Sequence, residues 1–236
     1  METLQKTNAG QTKEVIHLPI GELVKRFSLL LKRYDVLINA YTPYSLSHFY
    51  NLPLGKQQEI YNNFKYYSDF CYEIHNSGVS LKDNVKTLRA AFNTLKMRTS
   101  DSFLTNIVDT DLIEIYNMEG RQIFRNFRLF EMSSLSLLEL ISNEWPELFE
   151  RSLDVTEHIH KHITQALSGQ QDLISMENVP THLMRERMTD VKIAHFVNFK
   201  FIAPVYTGPE KIENFIISSG SKKVEDDYNY SNISFI

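Results

Sequence analysis

The chain has 236 residues, of which 42% are hydrophobic, 12% aromatic and 23% charged, and its formal net charge is −4. This length holds one large or two small domains, and the composition excludes general disorder and a small disulfide-stapled scaffold. The only cysteine, Cys71, excludes an internal disulfide and a Cys-rich zinc site, and it agrees with a cytoplasmic location.

The two halves of the chain differ in charge. Residues 1–105 carry 13 Lys and Arg against 9 Asp and Glu, whereas residues 106–236 carry 12 against 20. This asymmetry predicts a domain boundary near residue 105. The basic surplus is far below that of dedicated nucleic-acid binders, so we do not expect a nucleic-acid partner. The apolar patches are too short to span a bilayer, and the polar N-terminus does not resemble a signal peptide, so no membrane association is expected.

Apolar residues at steps of three and four predict three helices within residues 16–105, after a disordered tail over residues 1–15. The helices are predicted over residues 20–41, 56–75 and 81–103. The third has apolar positions that alternate steps of four and three, as in a heptad seam. Because such a seam has to be buried, we expect a homodimer through the helix that carries Leu81, Val85, Leu88, Phe92 and Leu95.

After residue 105 the periodicity changes to that of strands. Residues 111–116 and 121–126 predict a β-hairpin, with Gly120 supplying a positive φ in its turn. Short helices are predicted over residues 129–149 and a longer helix over residues 153–167. Strands are then predicted within residues 171–187 and over residues 192–202 and 211–217, the last two joined by a turn at 207–209. Residues 221–236 are predicted to be a loose tail. This order predicts an α+β fold, in which an N-terminal helical region precedes one antiparallel sheet, over residues 106–220, with helices packed on one face.

This second half resembles a PAS domain over about residues 107–219, or half of the chain. The resemblance rests on a strand, a turn that holds Gly120, a strand that ends near Asn126, and then short helices with a Ser-rich start that lead to Trp145. Two features depart from the family pattern. Ser133 and Ser134 replace the usual glycine of the helical start, and the usual Asp-Gly turn between the late strands is absent.

The resemblance implies a sensory or regulatory protein that is not an enzyme, and a sheet in which the late strands pair with the early hairpin. It also implies a small cavity between the concave face of the sheet and the covering helices, where we expect a small apolar ligand. The alternative is that the same side chains fill a core without a cavity. The residues predicted to line the cavity are Ile113, Ile115, Phe124, Phe127, Phe130, Leu138, Trp145, Phe196 and Phe199.

A histidine-rich segment within the helix predicted over residues 153–167 suggests a metal site. His158 and His162 are spaced one helical turn apart, and such a pair can bind a transition metal. A histidine of the equivalent helix holds haem iron in some PAS sensors, so the resemblance makes haem a candidate cofactor. The alternatives are a solvated helix surface and a pH-sensing role. Cys71 lies outside the predicted sensory domain, so a flavin–cysteine photocycle is not expected.

The sequence contains no phosphate-binding glycine loop and no nucleophile elbow, so we expect no catalysis. Three functions stay open. The first is a sensor that binds a small ligand and signals through a dimeric N-terminal helical region. The second is a ligand-free adaptor that docks a protein partner. The third is a transcription regulator whose basic N-terminal half contacts DNA.

Overall fold

A computed structural model describes residues 19–187, 193–208 and 211–224 of the chain. The predicted tail over residues 1–15 lies outside the described residues. Most of the predicted tail over residues 221–236 also lies outside them, although residues 221–223 belong to the last strand of the sheet. None of the described helices is long and apolar enough to cross a membrane.

The N-terminal part consists of five helices and one short strand. The helices are α1 (Ile20–Lys32), α2 (Pro43–Asn51), α3 (Leu54–Asn76), α4 (Asn84–Leu95) and α5 (Asp101–Asn106), and the strand β1 (Met97–Arg98) lies between α4 and α5. Two predicted helices are therefore shorter than expected. Asp35 has a φ of 63° shortly after the end of α1, and Lys96 has a φ of 54° directly after α4. Left-handed backbone of this kind does not continue an α-helix.

The heptad seam is buried inside the chain itself. Leu81, Leu88 and Phe92 are each at most 5% exposed and belong to the main hydrophobic core. A homodimer through this helix was expected because the seam needed a partner, and the core of the same chain supplies one. Because the seam is covered within one chain, it no longer gives a reason to expect a dimer through this helix.

The described residues from 107 onward form one antiparallel sheet with interspersed helices. Its strands are β2 (Leu112–Asn117), β3 (Gln122–Arg125), β4 (Phe149–Glu150), β5 (Ile174–Ser175), β6 (His182–Glu186), β7 (Ala194–Thr207) and β8 (Lys211–Lys223). They lie in the order β3-β2-β8-β7-β6-β4, and β1 and β5 also pair with β7. The early hairpin pairs with the late one, since Ile115 lies opposite Ile216. The predicted α+β fold is confirmed.

Four further helices, α6 (Arg128–Met132), α7 (Leu137–Ser142), α8 (Trp145–Leu148) and α9 (Leu153–Leu167), separate β3 from β5. The first three are short, as expected for residues 129–149. The helix α9 occupies the residues predicted for the longer helix, and it contacts both β7 and β8.

Both faces of the sheet are covered by helices. Side chains alternate along a strand, so Leu112, Glu114 and Tyr116 share one face, which we call the inner face. Ile113 and Ile115 lie on the opposite, outer face. The inner face meets α9.

The outer face meets the N-terminal helices. Phe124, which pairs with Ile115 across β2 and β3, contacts Tyr67 and Phe70 of α3 with ring centroids 6.2 and 6.3 Å apart. One hydrophobic cluster extends from Ile20 in α1 to Ile217 in β8, and so crosses the boundary predicted near residue 105.

Candidate functional site

A cavity of about 450 Å³ lies between the inner face of the sheet and the helices α8 and α9. Its walls are mostly apolar and include the side chains of five Phe, Tyr and Trp residues. Ile159 and Ile163 of α9 form one side, and Ile217 of β8 lies on the sheet side. These five aromatic residues are Tyr116, Trp145, Phe149, Phe199 and Phe215.

Two of the nine residues predicted to line a cavity, Trp145 and Phe199, line this one. Ile113 and Ile115 do not, because they lie on the outer face of β2. The prediction chose the wrong face of β2, because the alternate residues Leu112, Glu114 and Tyr116 line the cavity instead. A shift of one residue exchanges the two faces of a strand.

The other predicted lining residues lie elsewhere. Phe124 and Phe130 border a smaller cavity of about 160 Å³ beside α3, which Trp145 also lines. Phe127 packs against Tyr34 of the N-terminal region with ring centroids 5.1 Å apart. Leu138 and Phe196 also lie outside the cavity. Leu138 is fully buried in the main hydrophobic core, and Phe196 packs against a separate small cluster.

A buried carboxyl group, that of Glu114, belongs to the inner face. The Tyr116 hydroxyl donates a hydrogen bond of 2.9 Å to its Oε1, and the Gln122 amide nitrogen donates to the same oxygen. Burial raises the pKa of Glu114 above its ordinary value, and these two hydrogen bonds only partly oppose this shift. The pKa of Tyr116 is also raised, first by burial and then by the nearby Glu114. Burial therefore acts in favour of the neutral form of both groups.

A guanidinium group, that of Arg151, lines the cavity near these residues. It lies over the ring of Phe199 at 5.7 Å and its Nη2 is 3.9 Å from the Met184 sulfur. Burial lowers the pKa of Arg151, whereas Tyr116 and Glu114 raise it. The side chain is fixed by packing on a ring and a sulfur atom, and none of its described contacts is an ion pair.

His182 packs against Phe199, one of the residues that line the cavity. The two rings stack with centroids 5.5 Å apart and an interplanar angle of 17°. His182 Nδ1 lies 3.2 Å from the Pro180 carbonyl oxygen, and its Nε2 is buried without a hydrogen-bond partner among the described residues. Burial, followed by the charge of Arg151, lowers the pKa of His182 to about 4. This imidazole is therefore neutral at physiological pH.

The predicted histidine pair lies on α9 but outside the cavity. His158 is exposed and His162 is buried, and each Nδ1 is within 2.8 Å of a main-chain carbonyl oxygen one turn earlier. The cavity is lined by His160 instead. Haem ligation inside the cavity by the predicted pair does not fit this arrangement. In the described part of the chain, no group of three or more His, Cys, Asp or Glu side chains is placed to hold a metal ion.

The polar residues of the cavity were missed because they are isolated in the sequence. Glu114 is a charged residue between the two apolar positions of a predicted strand, and this is a detectable signal, since such a residue is either exposed or buried for a reason. Arg151 follows the short strand β4 and belongs to no motif. A scan against protein-family models finds no matching family, and a search of curated proteins finds no matching relative.

Proposed function

We propose that this chain is a PAS-like sensor module in which the cavity beneath α9 holds a small, largely apolar molecule. The observation that carries the proposal is the cavity of about 450 Å³, with mostly apolar walls and a few polar groups that include Glu114 and Arg151. Cavities of this size with a few convergent polar groups are typical of small-molecule sites.

The topology supports the PAS-like part of the proposal. The hairpin of β2 and β3 pairs with β8, as the resemblance implied, and α9 covers the inner face of the same sheet. The two positions that carried the resemblance also have structural roles. Gly120 has a φ of 78° in the hairpin turn, and Oδ1 of Asn126 accepts a hydrogen bond from the main-chain amide of Ile113 in β2.

We further propose a regulatory role in the cytoplasm, without catalysis, that is read by a protein partner. The strand β2 lines the cavity with its inner face and carries Ile115 on its outer face. Ile115 pairs with Phe124 of β3, whose ring contacts Tyr67 and Phe70 of α3. A ligand that alters the inner face therefore acts on strands that also support the N-terminal helices. Such a ligand would shift the population of helix arrangements, which is a signal a partner can detect. Cys71 is a free, buried thiol, as suits a reducing compartment.

Isoleucine methyl NMR tests occupancy of the cavity. We would titrate the protein with phenylpropionate and phenylpropanol, which share one apolar body. The methyl groups of Ile159, Ile163 and Ile217 line the cavity and are expected to shift in a saturable way with at least one compound. Those of Ile113 and Ile115, on the outer face, are expected to shift less. If neither compound moves the cavity methyl groups, the proposed function is wrong.

A blocked cavity provides the matched variant. The substitution Ile163→Trp fills the cavity from α9 and is expected to abolish the shifts. Leu167→Trp lies one turn later on the same helix, is similarly half-buried and does not line the cavity, so binding is expected to persist. Hydrogen exchange of the α3 amides, measured with and without ligand, tests the signalling step. If saturating ligand leaves the hydrogen exchange of the α3 amides unchanged, the protein binds the ligand but the proposed sensor role is wrong.

A further inference from the structure

Arg151 is a half-buried cation that lines a mostly apolar cavity, where Glu114 is near enough to raise its pKa but forms no described ion pair with it. Its described contacts are the Phe199 ring and the Met184 sulfur, and no described carboxylate forms an ion pair with it. Burying a charge without a counter-charge is costly, so such a group is usually matched by a ligand, a metal-bound group or a second side chain.

The other charged residues around the cavity already have partners. Glu150 accepts from Arg185 and lies 3.6 Å from Arg187, so the second guanidinium of the lining is matched. At the rim, Glu119 pairs with Arg121 and Glu144 with Lys56. Arg151 therefore differs from the charged groups that surround it.

We infer that the ligand is an apolar monocarboxylate, and that Arg151 holds its carboxylate while the aromatic walls enclose its body. This inference rests on the proposed function and names its ligand class. A guanidinium offers a planar pair of donors that matches the two oxygens of a carboxylate. One unpaired guanidinium balances one negative charge, whereas a phosphate monoester carries nearly two.

Glu114 is the residue that would oppose an anionic ligand, because it lines the same cavity. Burial raises the pKa of its carboxyl group, whereas the charges of Arg125 and Arg151 lower it. Both described hydrogen bonds to it reach Oε1, so Oε2 takes neither of them. In its protonated form Glu114 does not repel a carboxylate and adds a second polar group to the site.

Three probes with one apolar body test the charge preference: phenylpropionate, phenylpropanol and phenylpropylamine. Dissociation constants come from the methyl titrations and from calorimetry at constant pH and salt. We expect the carboxylate to bind about tenfold or more tightly than the alcohol, and the amine to bind most weakly. The substitution Arg151→Met is expected to bring the affinities for carboxylate and alcohol together, whereas Arg151→Lys keeps a weaker preference for the carboxylate.

Arg26 supplies the matched control. Its guanidinium lies over the Tyr72 ring at 4.5 Å, much as Arg151 lies over Phe199, but it is on α1 and outside the cavity. The substitution Arg26→Met should leave the order of the three affinities unchanged. Alcohol binding by Arg151→Met at the affinity of the unsubstituted protein shows that the variant is folded.

Three outcomes overturn the inference. Equal affinity of the unsubstituted protein for carboxylate and alcohol removes the charge preference but leaves the proposed function intact. Unchanged carboxylate preference in Arg151→Met assigns recognition to another residue. If all three probes fail to bind, both the inference and the proposed function are wrong.

Discussion

The side-chain amide of Asn126 donates a hydrogen bond of 2.7 Å to Oδ1 of Asn84, and so joins the end of β3 to the start of α4. Both amides also donate to the Asp111 carbonyl oxygen, at 2.7 and 3.0 Å. The Ile113 main-chain amide in turn donates to Asn126 Oδ1 at 3.1 Å. Both asparagines are at most 3% exposed. This buried network connects the N-terminal helices to the first strand of the sheet.

Replacement of Asn126 by alanine should destabilise the protein by about 2–4 kcal/mol, because it leaves several buried polar groups without partners. Urea unfolding at neutral pH measures this. The substitution Asn84→Ala removes the other half of the 2.7 Å bond, and the double variant should cost less than the sum of the single ones. Asn62→Ala, on the exposed surface of α3, is the control and should change stability little. Additive effects at Asn84 and Asn126 would show that the two side chains are not coupled.

The backbone at Lys96 makes a second prediction. Its φ of 54° and ψ of 41° are left-handed, which costs a residue with a Cβ about 1 kcal/mol. Lys96→Gly should therefore stabilise the protein by about 0.5 kcal/mol, after allowance for the greater freedom of glycine in the unfolded chain. Thermal and urea unfolding check this.

Arg89→Gly is the comparison for Lys96→Gly. Arg89 is an exposed basic residue within the same helix, where the backbone is right-handed, so glycine should cost about 1 kcal/mol. If Lys96→Gly and Arg89→Gly both lose stability, the result would contradict a left-handed backbone at Lys96.

The end of α4 illustrates what the sequence does not reveal. The spacing of Leu88 and Phe92 correctly indicated a buried stripe on α4, but Leu81 lies before this helix begins and the heptad pattern continues in sequence through Thr99. Nothing in the residue type of Lys96 marks a left-handed position, since glycine or asparagine is the usual signal there. The sequence also did not show what covers this stripe, because periodicity indicates that a helix face is buried but not which residues pack against it.

The cavity shows a similar limit. In β2 the apolar residues Ile113 and Ile115 were assigned to the ligand side because they are apolar. Both faces of this strand are buried, however, and the apolar one packs toward the N-terminal helices. The inner face carries Glu114 and Tyr116, whose burial is visible only once α9 is in place. By contrast, the bounds of α9 were predicted correctly, because helix formation over such a segment is largely a local property of the sequence.

Glu114 makes a prediction about pH. Its folded-state pKa is raised by burial, so the folded protein holds a proton that the unfolded chain releases near pH 4. Stability is therefore lost as the pH rises from about 4 through the folded pKa. Glu114→Gln keeps the acceptor for Tyr116 and Gln122 and removes the ionisation. The variant should be more stable than the unsubstituted protein at neutral pH, and this difference should vanish near pH 4.

Urea unfolding of both proteins between about pH 4 and pH 8 checks the Glu114 prediction. The control is Glu157→Gln, which removes an exposed carboxyl group from α9. A Glu114→Gln difference that stays constant over this range would contradict a carboxyl that is protonated in the folded state.

His182 makes the opposite prediction about pH. Its pKa is lowered to about 4, first by burial and then by Arg151, so the unfolded chain binds a proton near pH 6.5 that the folded protein does not. The stabilisation is complete above about pH 6.5 and is lost as the pH falls toward 4, by on the order of 2 kcal/mol. His182→Phe preserves stacking on Phe199 and should lack this component of acid sensitivity.

The control for His182 is His48→Phe. His48 stacks on Tyr44 with the same interplanar angle of 17°, but it is half-buried near the N-terminal helices and far less shielded from water. Urea unfolding between about pH 4 and pH 8 should show parallel stability curves for His48→Phe and the unsubstituted protein, and a flatter curve for His182→Phe. Since the charge of Arg151 contributes to the shift, Arg151→Met should also reduce the acid sensitivity. If His182→Phe and the unsubstituted protein lose the same stability as the pH falls, the His182 imidazole takes up a proton while it is stacked on Phe199.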